Sequence, residues 1–268
     1  MTESSGNEAL VLRSDNNGIT TLTLNRPQAF NTLSTPLMLS LKDHLAAIAA
    51  DTTVRVVVLT GAGKAFCAGH DLNEMQADPS EAAMKAMFGL CTENMMAITH
   101  LPQPVIAKVN GVAAAAGCQL VAQCDLAIAA DHVKFGTSGI NVGLYCSTPS
   151  VPVTRNLGRK QAMELLLTGD LIDAPTAERW GLINSCTVAA ELDDVVNFMA
   201  EKIAAKSPDA ISLGKSLFYT QIEEGMAAAY ERAGEAITCN MQTPETQKAI
   251  DAFLAKTPHA PWPDRKPE

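Results

Sequence analysis

Two stretches rich in glycine and alanine carry the residue types suited to holding a developing negative charge. In Leu59-Thr60-Gly61-Ala62-Gly63-Lys64-Ala65-Phe66-Cys67-Ala68-Gly69-His70-Asp71-Leu72, Ala68 and Gly69 let a ligand approach the backbone, and the His70 N–H can point outward as a fixed donor. In Val109-Asn110-Gly111-Val112-Ala113-Ala114-Ala115-Ala116-Gly117-Cys118-Gln119 a strand-like run ends, small residues crowd together, and a helix start presents unpaired N–H groups. Two such turns facing each other would make an oxyanion hole, with rigid donors meeting the charge that forms on a carbonyl oxygen. The same composition equally suits tight packing of small residues, so both readings stay open at this point. A nucleotide loop is excluded on spacing, because neither GxGxxG nor GxxxxGK[ST] occurs.

The surrounding elements must bring these turns together. Strand-like Ala9–Arg13 and Ile19–Leu24 precede a helix from Pro36 to Ala50, where Ser34 and Thr35 can cap free N–H groups and Pro36 sits harmlessly in the first turn. Leu37, Leu41, Leu45 and Ile48 share one face of that helix. Strand-like Val54–Thr60 follows, then a helix over Glu81–Thr99, the apolar run Val105–Val109, the Asn110-Gly111 turn, a short helix near Gly117–Cys124 and a strand over Asp125–Ala129. This alternation predicts α/β layering with chemistry at strand-end loops. From Arg159 the pattern turns helical, over 159–168, 174–180, 190–205, 208–223 and 226–256. The expected organisation is a core over residues 1–195 and a C-terminal helical region and tail over 196–268. Met226, Ala227, Ala228, Ala229 and Met241 would leave apolar surface on a monomer, which suits a subunit interface or packing within the chain. The Pro-rich, charged end PHAPWPDRKPE predicts an irregular tail.

Composition removes several function classes. A chain of 268 residues that is 47% hydrophobic can bury a sizeable core. Its net charge of −9 lacks the basic face that nucleic acid requires. The polar start MTESSGNEAL and the absence of a long apolar run predict a cytoplasmic protein with no membrane partner. Seven scattered cysteines read as reduced, buried thiols. No CxxC or HExxH spacing points to a metal.

Taken in order, Asn25-Arg26-Pro27…Asn31-Thr32-Leu33, the AGHDL segment, VNGVAAAAGCQLVAQCD, FGTSGINVGL, LLLTGDLIDAPTAERWGLIN and the terminal AFLAK resemble the enoyl-CoA hydratase/isomerase (crotonase) family across nearly the whole chain. The resemblance implies a crotonase (ClpP-like) spiral of ββα units with a C-terminal helical region that trimerises, often as a dimer of trimers. It implies an acyl-CoA or enoyl-CoA thioester as ligand, with coenzyme A as part of the substrate and no covalently bound cofactor. By the same resemblance, the His70 and Ala116 N–H groups form the oxyanion hole, and backbone near Gln28, Ala29 and Ala68, with Asp71 and Leu72 beside it, holds the adenine side of coenzyme A. Phe253 and Lys256 would come from a neighbouring subunit, and Arg26 and Lys64 would offset phosphate charge in an acidic protein.

The pattern breaks where proton transfer is expected. Hydratases of this family place glutamates on both sides of a water, at positions that here hold Gln119 and Gly139. An amide cannot cycle a proton near neutral pH, and glycine has no side chain. Tyr145 and Cys146 follow Gly143-Leu144 where the family chain lines the pocket, so Cys146 as a thiolate or as an inert thiol, Tyr145, and the His70 ring are the substitutes to weigh. Asp71 and Asp125 read as structural, bonding nearby N–H groups.

Glycine at the place of Gly139 also occurs in dihydroxynaphthoyl-CoA synthases, where a bound anion fills the vacant carboxylate position. Their flanking Gln and Asp are here Thr137 and Cys146, which argues against that lyase chemistry but leaves room for an anion near Gly139. Within the family, Gly139-Ile140-Asn141-Val142-Gly143-Leu144 and Cys146-Ser147-Thr148-Pro149 are similar to the enoyl-CoA hydratase domain-containing protein 3 group. The expectation is an enzyme that stabilises a thioester enolate but hydrates poorly. Its rival is a non-catalytic CoA-binding or assembly protein of the same fold.

Overall fold

After an opening hairpin, strand-forming runs come in three pairs whose two members part company. In the computed structural model, residues 9–266 are described. The polar start, Met1 to Glu8, and the last two tail residues lie outside the described residues. β1 (Val11–Asn16) and β2 (Ile19–Leu24) form an antiparallel hairpin, turned at Asn17 and Gly18 with φ of 50° and 77°. Asparagine followed by glycine is the pair that tolerates two consecutive left-handed residues.

α1 (Thr35–Ala50) starts where expected: Ser34 Oγ accepts from the Leu37 N–H, and Pro36 stands in the first turn. Leu37, Met38, Leu41, Leu45 and Ile48 are buried along it, each worth about 1.5–3 kcal/mol against exposure. β3 (Val56–Gly61) and β4 (Ala65–Cys67) follow, then α2 (Leu72–Ala77) and α3 (Glu81–His100), which packs on α1. The pattern repeats with β5 (Val105–Val109), β6 (Val112–Ala114) and α4 (Ala116–Gln123), and again with β7 (Leu126–Ala130) and β8 (Lys134–Gly136). The first strand of each pair enters a six-stranded sheet ordered β1-β2-β3-β5-β7-β10. The second enters a four-stranded sheet ordered β4-β6-β8-β9. This is the spiral of ββα units that the resemblance implies.

α5 (Ser147–Asn156), α6 (Arg159–Thr168), β9 (Ile172–Asp173), α7 (Ala174–Trp180) and β10 (Ser185–Thr187) complete the layers. α5 escaped the sequence reading because Pro149 and Pro152 lie inside it, and proline ordinarily argues against a helix interior. The short β4, β6, β8 and β9, only two or three residues each, carry too little pattern to be read alone.

The boundary expected at 195/196 falls inside α8 (Leu192–Ala204), whose Leu192, Val196 and Ala200 belong to the same core as the sheet. α9 (Pro208–Gln221), α10 (Met226–Met241) and α11 (Pro244–Leu254) bury no residue. The single helix expected over 226–256 breaks at Thr243, which caps α11 through the Thr246 N–H while Pro244 cannot continue the donor ladder. The tail beyond is irregular, as expected, yet tied down: Arg265 donates to the Ala49 carbonyl, and Arg55 donates to the carbonyls of Trp262 and Pro263.

Among the described residues, no helix is long and apolar enough to cross a membrane. No cluster of His, Cys, Asp and Glu there could hold a metal.

Candidate active site

β4, β6 and β8 are parallel neighbours, so their C-terminal ends lie side by side. The chain leaves β4 through Ala68, Gly69 and His70, leaves β6 through Ala115 into Ala116, and leaves β8 through Thr137 into the turn containing Gly139. Topology alone therefore gathers three sequence-distant segments at one edge of the small sheet.

The first two touch. A Cβ built on Gly69 would stand 3.0 Å from the Ala115 Cβ and 3.5 Å from the Ala116 nitrogen. Gly69 itself has a φ of 108°, a conformation that side chains rarely adopt. His70 pairs with Leu33 as an isolated parallel bridge, in which Leu33 N–H donates to Gly69 O and Asp71 N–H donates to Leu33 O. That alternation leaves the His70 N–H without an acceptor among the described residues. The Ala116 N–H is likewise free, because it opens α4 and a helix's first N–H groups have no partner within it. Ala115 is held at φ 49° and ψ −116° by its N–H bond to Gly136 O, 2.8 Å. Such strain in a non-glycine residue costs on the order of 1–3 kcal/mol and needs surrounding structure to hold it. Gly117 supplies part of that structure: a Cβ there would lie 1.9 Å from Cys67 O, so α4 abuts the end of β4.

Gln119 is buried one turn into α4, and its Oε1 has no hydrogen-bond partner among the described residues. The His70 ring meets Phe88 edge-on at 5.2 Å, and its Nε2 is also buried and unpartnered. Desolvation lowers this imidazole to about 4, against an opposing pull from the Glu74 charge, so the ring is neutral at physiological pH. Beside Gly139, the direction a side chain would take is filled by Leu144 O at 2.6 Å and Cys146 Sγ at 2.9 Å from the Cβ position. The room expected for an anion near Gly139 is closed in that direction. Cys146 is buried, and burial pushes its thiol upward despite a backbone hydrogen bond from Gly139. That shift runs opposite to the thiolate reading. Tyr145 stands half-exposed at the same loop.

The residues expected around coenzyme A divide into two groups. Arg26 Nη1 bonds Asp71 through a 2.6 Å ion pair and Thr32 Oγ1 at 2.9 Å. Asp71 caps α2 through the Asn73 and Glu74 N–H groups, the structural role expected of it. Burial works to raise the Asp71 carboxyl, but Arg26 and these N–H groups together hold it below its usual value. Ala29 N–H bonds Arg26 O and Ala68 N–H bonds Phe30 O, while the Ala68 carbonyl accepts no hydrogen bond among the described residues. Gln28, Lys64 and Leu72 are exposed. The Lys64 turn packs on the Gln28 turn, with the Gly63 Cβ position 2.9 Å from Pro27 Cβ. Phe253 is 81% exposed at the end of α11, and Lys256 follows at φ 55°.

Two structural features escaped the sequence reading. Asn31, fully buried at φ 53°, donates to the carbonyls of Ala62 and Ala65 and accepts from the Arg26 N–H, stapling the two turns together. Asparagine's tolerance of positive φ was the available signal. Asp125, expected to be structural, accepts from the Val105 N–H and also from Lys215 Nζ and Tyr219 Oη, two partners about ninety residues away that no local pattern could reveal.

The enoyl-CoA hydratase/isomerase family profile matches residues 14–265. The chain belongs to this family. It is 40% identical over 256 residues to enoyl-CoA hydratase domain-containing protein 3, mitochondrial, of Danio rerio, covering 96% of this chain and 89% of that protein. The crystal structure of a Mycobacterium smegmatis enoyl-CoA hydratase superposes with a TM-score of 0.93 at 50% identity, covering 94% of this chain and 99% of that one. Human enoyl-CoA hydratase domain-containing protein 3 superposes with a TM-score of 0.91 at 38% identity, over 94% and 99%. The crotonase fold, a CoA-thioester-binding fold, follows from membership. The paired turns at His70 and Ala116 therefore lie in a crotonase-family scaffold, where carbonyl polarisation is the chemistry their free donors can perform.

Proposed function

We propose that this chain binds an acyl-CoA thioester and stabilises its enolate between the His70 and Ala116 N–H groups, and that it hydrates simple enoyl-CoA poorly. The observation carrying this reading is the pair of acceptor-free N–H groups on turns held in contact through Gly69 and Ala115. Donors fixed before reaction need no reorganisation as charge develops, and losing one such donor typically costs about 2.7–4 kcal/mol of transition-state stabilisation.

Proton transfer is the weak part of this site. Gln119 is a neutral amide where hydratases are expected to hold a glutamate, and Gly139 has backbone and thiol where a second carboxylate would have to project. General acid–base groups contribute roughly 10²–10⁴-fold in rate. The His70 ring, neutral and edge-on to Phe88, is a poor substitute.

Coenzyme A would lie along the Gln28, Lys64, Ala68 and Leu72 side of the opening. Its far end would meet Phe253 and Lys256 of another subunit in a homotrimer or dimer of trimers. The exposed groove between α9 and α10, lined by Leu217, Phe218, Ile222, Met226 and Tyr230, supports such an assembly. Exposed aromatic and aliphatic side chains of this extent call for a covering surface.

The test is crotonyl-CoA hydration, followed as loss of enoyl-thioester absorbance, alongside calorimetric binding of butyryl-CoA and free coenzyme A. The reading expects tighter binding of the thioester and a hydration rate far below the roughly 1–10³ s⁻¹ of ordinary enzymes. A rate within that range would overturn the account of the missing carboxylates. Equal binding of butyryl-CoA and coenzyme A would favour the non-catalytic CoA-binding reading instead.

A further inference from the structure

His70 and Leu33 form an isolated bridge that belongs to neither sheet. Two backbone bonds make it, Leu33 N–H to Gly69 O at 2.8 Å and Asp71 N–H to Leu33 O at 3.4 Å. The second is long for an amide bond. Gly69, at φ 108°, has no side chain with which to pack the turn in place. A group that acts on a reacting atom must be held to within about 0.5 Å and 10–20° of its working geometry, by packing or by hydrogen bonds from behind. One short and one long backbone bond are a thin support for that.

A side-chain tie one residue further along supplies the rest. Arg26 Nη1 donates to Asp71 Oδ2 at 2.6 Å, to Thr32 Oγ1 at 2.9 Å and to Thr32 O at 3.4 Å. Thr32 immediately precedes Leu33, and Asp71 immediately follows His70. One guanidinium nitrogen therefore joins the two chain segments whose bridge fixes the His70 peptide, and a charge-assisted bond is the stronger kind. Both ends of the tie are anchored. The Asp71 side chain is 9% exposed, and its Oδ1 accepts from the Asn73 and Glu74 N–H groups at the start of α2. The Arg26 backbone N–H donates to Oδ1 of buried Asn31, which in turn donates to Ala62 O and Ala65 O at the entry to β4.

We infer that Arg26 and Asp71 are positioning residues, an ion pair that holds the His70 N–H in line with the thioester carbonyl. The inference rests on the oxyanion reading of the site and adds to it the pair on which one of the two donors depends. The other donor, at Ala116, has separate support from Gly117 against Cys67 O and from the Ala115 bond to Gly136 O. A pair that only capped α2 would leave the carbonyl untouched when broken. An Arg26 that only met phosphate would act on coenzyme A and its thioester alike.

The test is isotope-edited infrared spectroscopy of the thioester C=O stretch of butyryl-CoA bound to the wild type, Asp71→Asn, Arg26→Gln and Thr32→Val, with urea melts and dissociation constants for butyryl-CoA and free coenzyme A. Asp71→Asn keeps an oxygen to cap α2 but turns a donor toward Arg26. The wild type should lower the stretch relative to free butyryl-CoA. Asp71→Asn and Arg26→Gln should lose about half of that displacement, one donor of two being misaligned. Their preference for butyryl-CoA over coenzyme A should fall roughly 2- to 10-fold, the range of one hydrogen bond. Thr32→Val, which keeps both charges, should lose a smaller part. A full displacement in folded Asp71→Asn and Arg26→Gln overturns the inference and leaves the oxyanion hole standing, whether or not affinity for coenzyme A drops. No displacement in the wild type overturns the oxyanion reading itself. Should neither charge variant fold, Thr32→Val decides, and a displacement equal to that of the wild type overturns the inference.

Discussion

The His70 imidazole sits against Phe88 with a buried, unpartnered Nε2, while its backbone N–H has no acceptor among the described residues. Desolvation sets the ring at about 4, below the ordinary 6.5. The unfolded chain thus takes up this proton first on acidification, and the contribution of His70 to stability declines as pH falls from about 6.5 to about 4. Ring-nitrogen NMR should give a His70 midpoint near 4 in the folded protein, moving toward 6.5 in Phe88→Ala, which admits water. A wild-type midpoint near 6.5 would contradict the burial argument. Gly69→Ala tests the neighbouring turn. Its new methyl must share space with Ala115 at a φ of 108°, so stability should drop by about 1 kcal/mol or more in urea melts, and carbonyl polarisation should be lost. At this scale the small residues of the two touching turns were legible, because close approach demands glycine and alanine. The Arg26–Asp71 pairing was not legible, since charged groups meant for a ligand and charged groups meant for each other look alike in one dimension.

Among the elements, long periodic helices were legible almost to their ends: α6 and α7 occupy the expected 159–168 and 174–180. The short strands that place the site were not, because β4, β6 and β8 gain their meaning only from lying parallel to one another. The attachment of α9 was equally hidden. Lys215, its side chain only 7% exposed, donates to Asp125 and to the carbonyls of Ile98 and Gln103, and Tyr219 bonds the same carboxylate. Removing one partner of a buried pair leaves a charge without compensation, which costs about 3–5 kcal/mol. Lys215→Met should lose about that much in denaturant unfolding, and Tyr219→Phe about 1 kcal/mol. Unchanged melts for both would mean that α9 is held by apolar contact alone.

For the whole molecule, α9, α10 and α11 bury no apolar residue fully and present Phe218, Ile222, Met226, Tyr230 and Phe253 to the surface, the face proposed above to meet a neighbouring subunit. Sedimentation should give a trimer or a dimer of trimers for the wild type. Tyr230→Glu combined with Met226→Glu should give monomers with weakened acyl-CoA binding, because Phe253 and Lys256 would no longer arrive from a neighbour. Monomers that bind as tightly as the wild type would remove those two residues from the ligand site. The central claim, that the His70 and Ala116 N–H groups polarise a thioester carbonyl, is reached most directly by the carbonyl ¹³C NMR shift of crotonyl-CoA labelled at C1, free and bound. A downfield shift on binding, lost in Gly69→Ala, is the predicted result; a bound carbonyl resonating where the free one does would contradict the account.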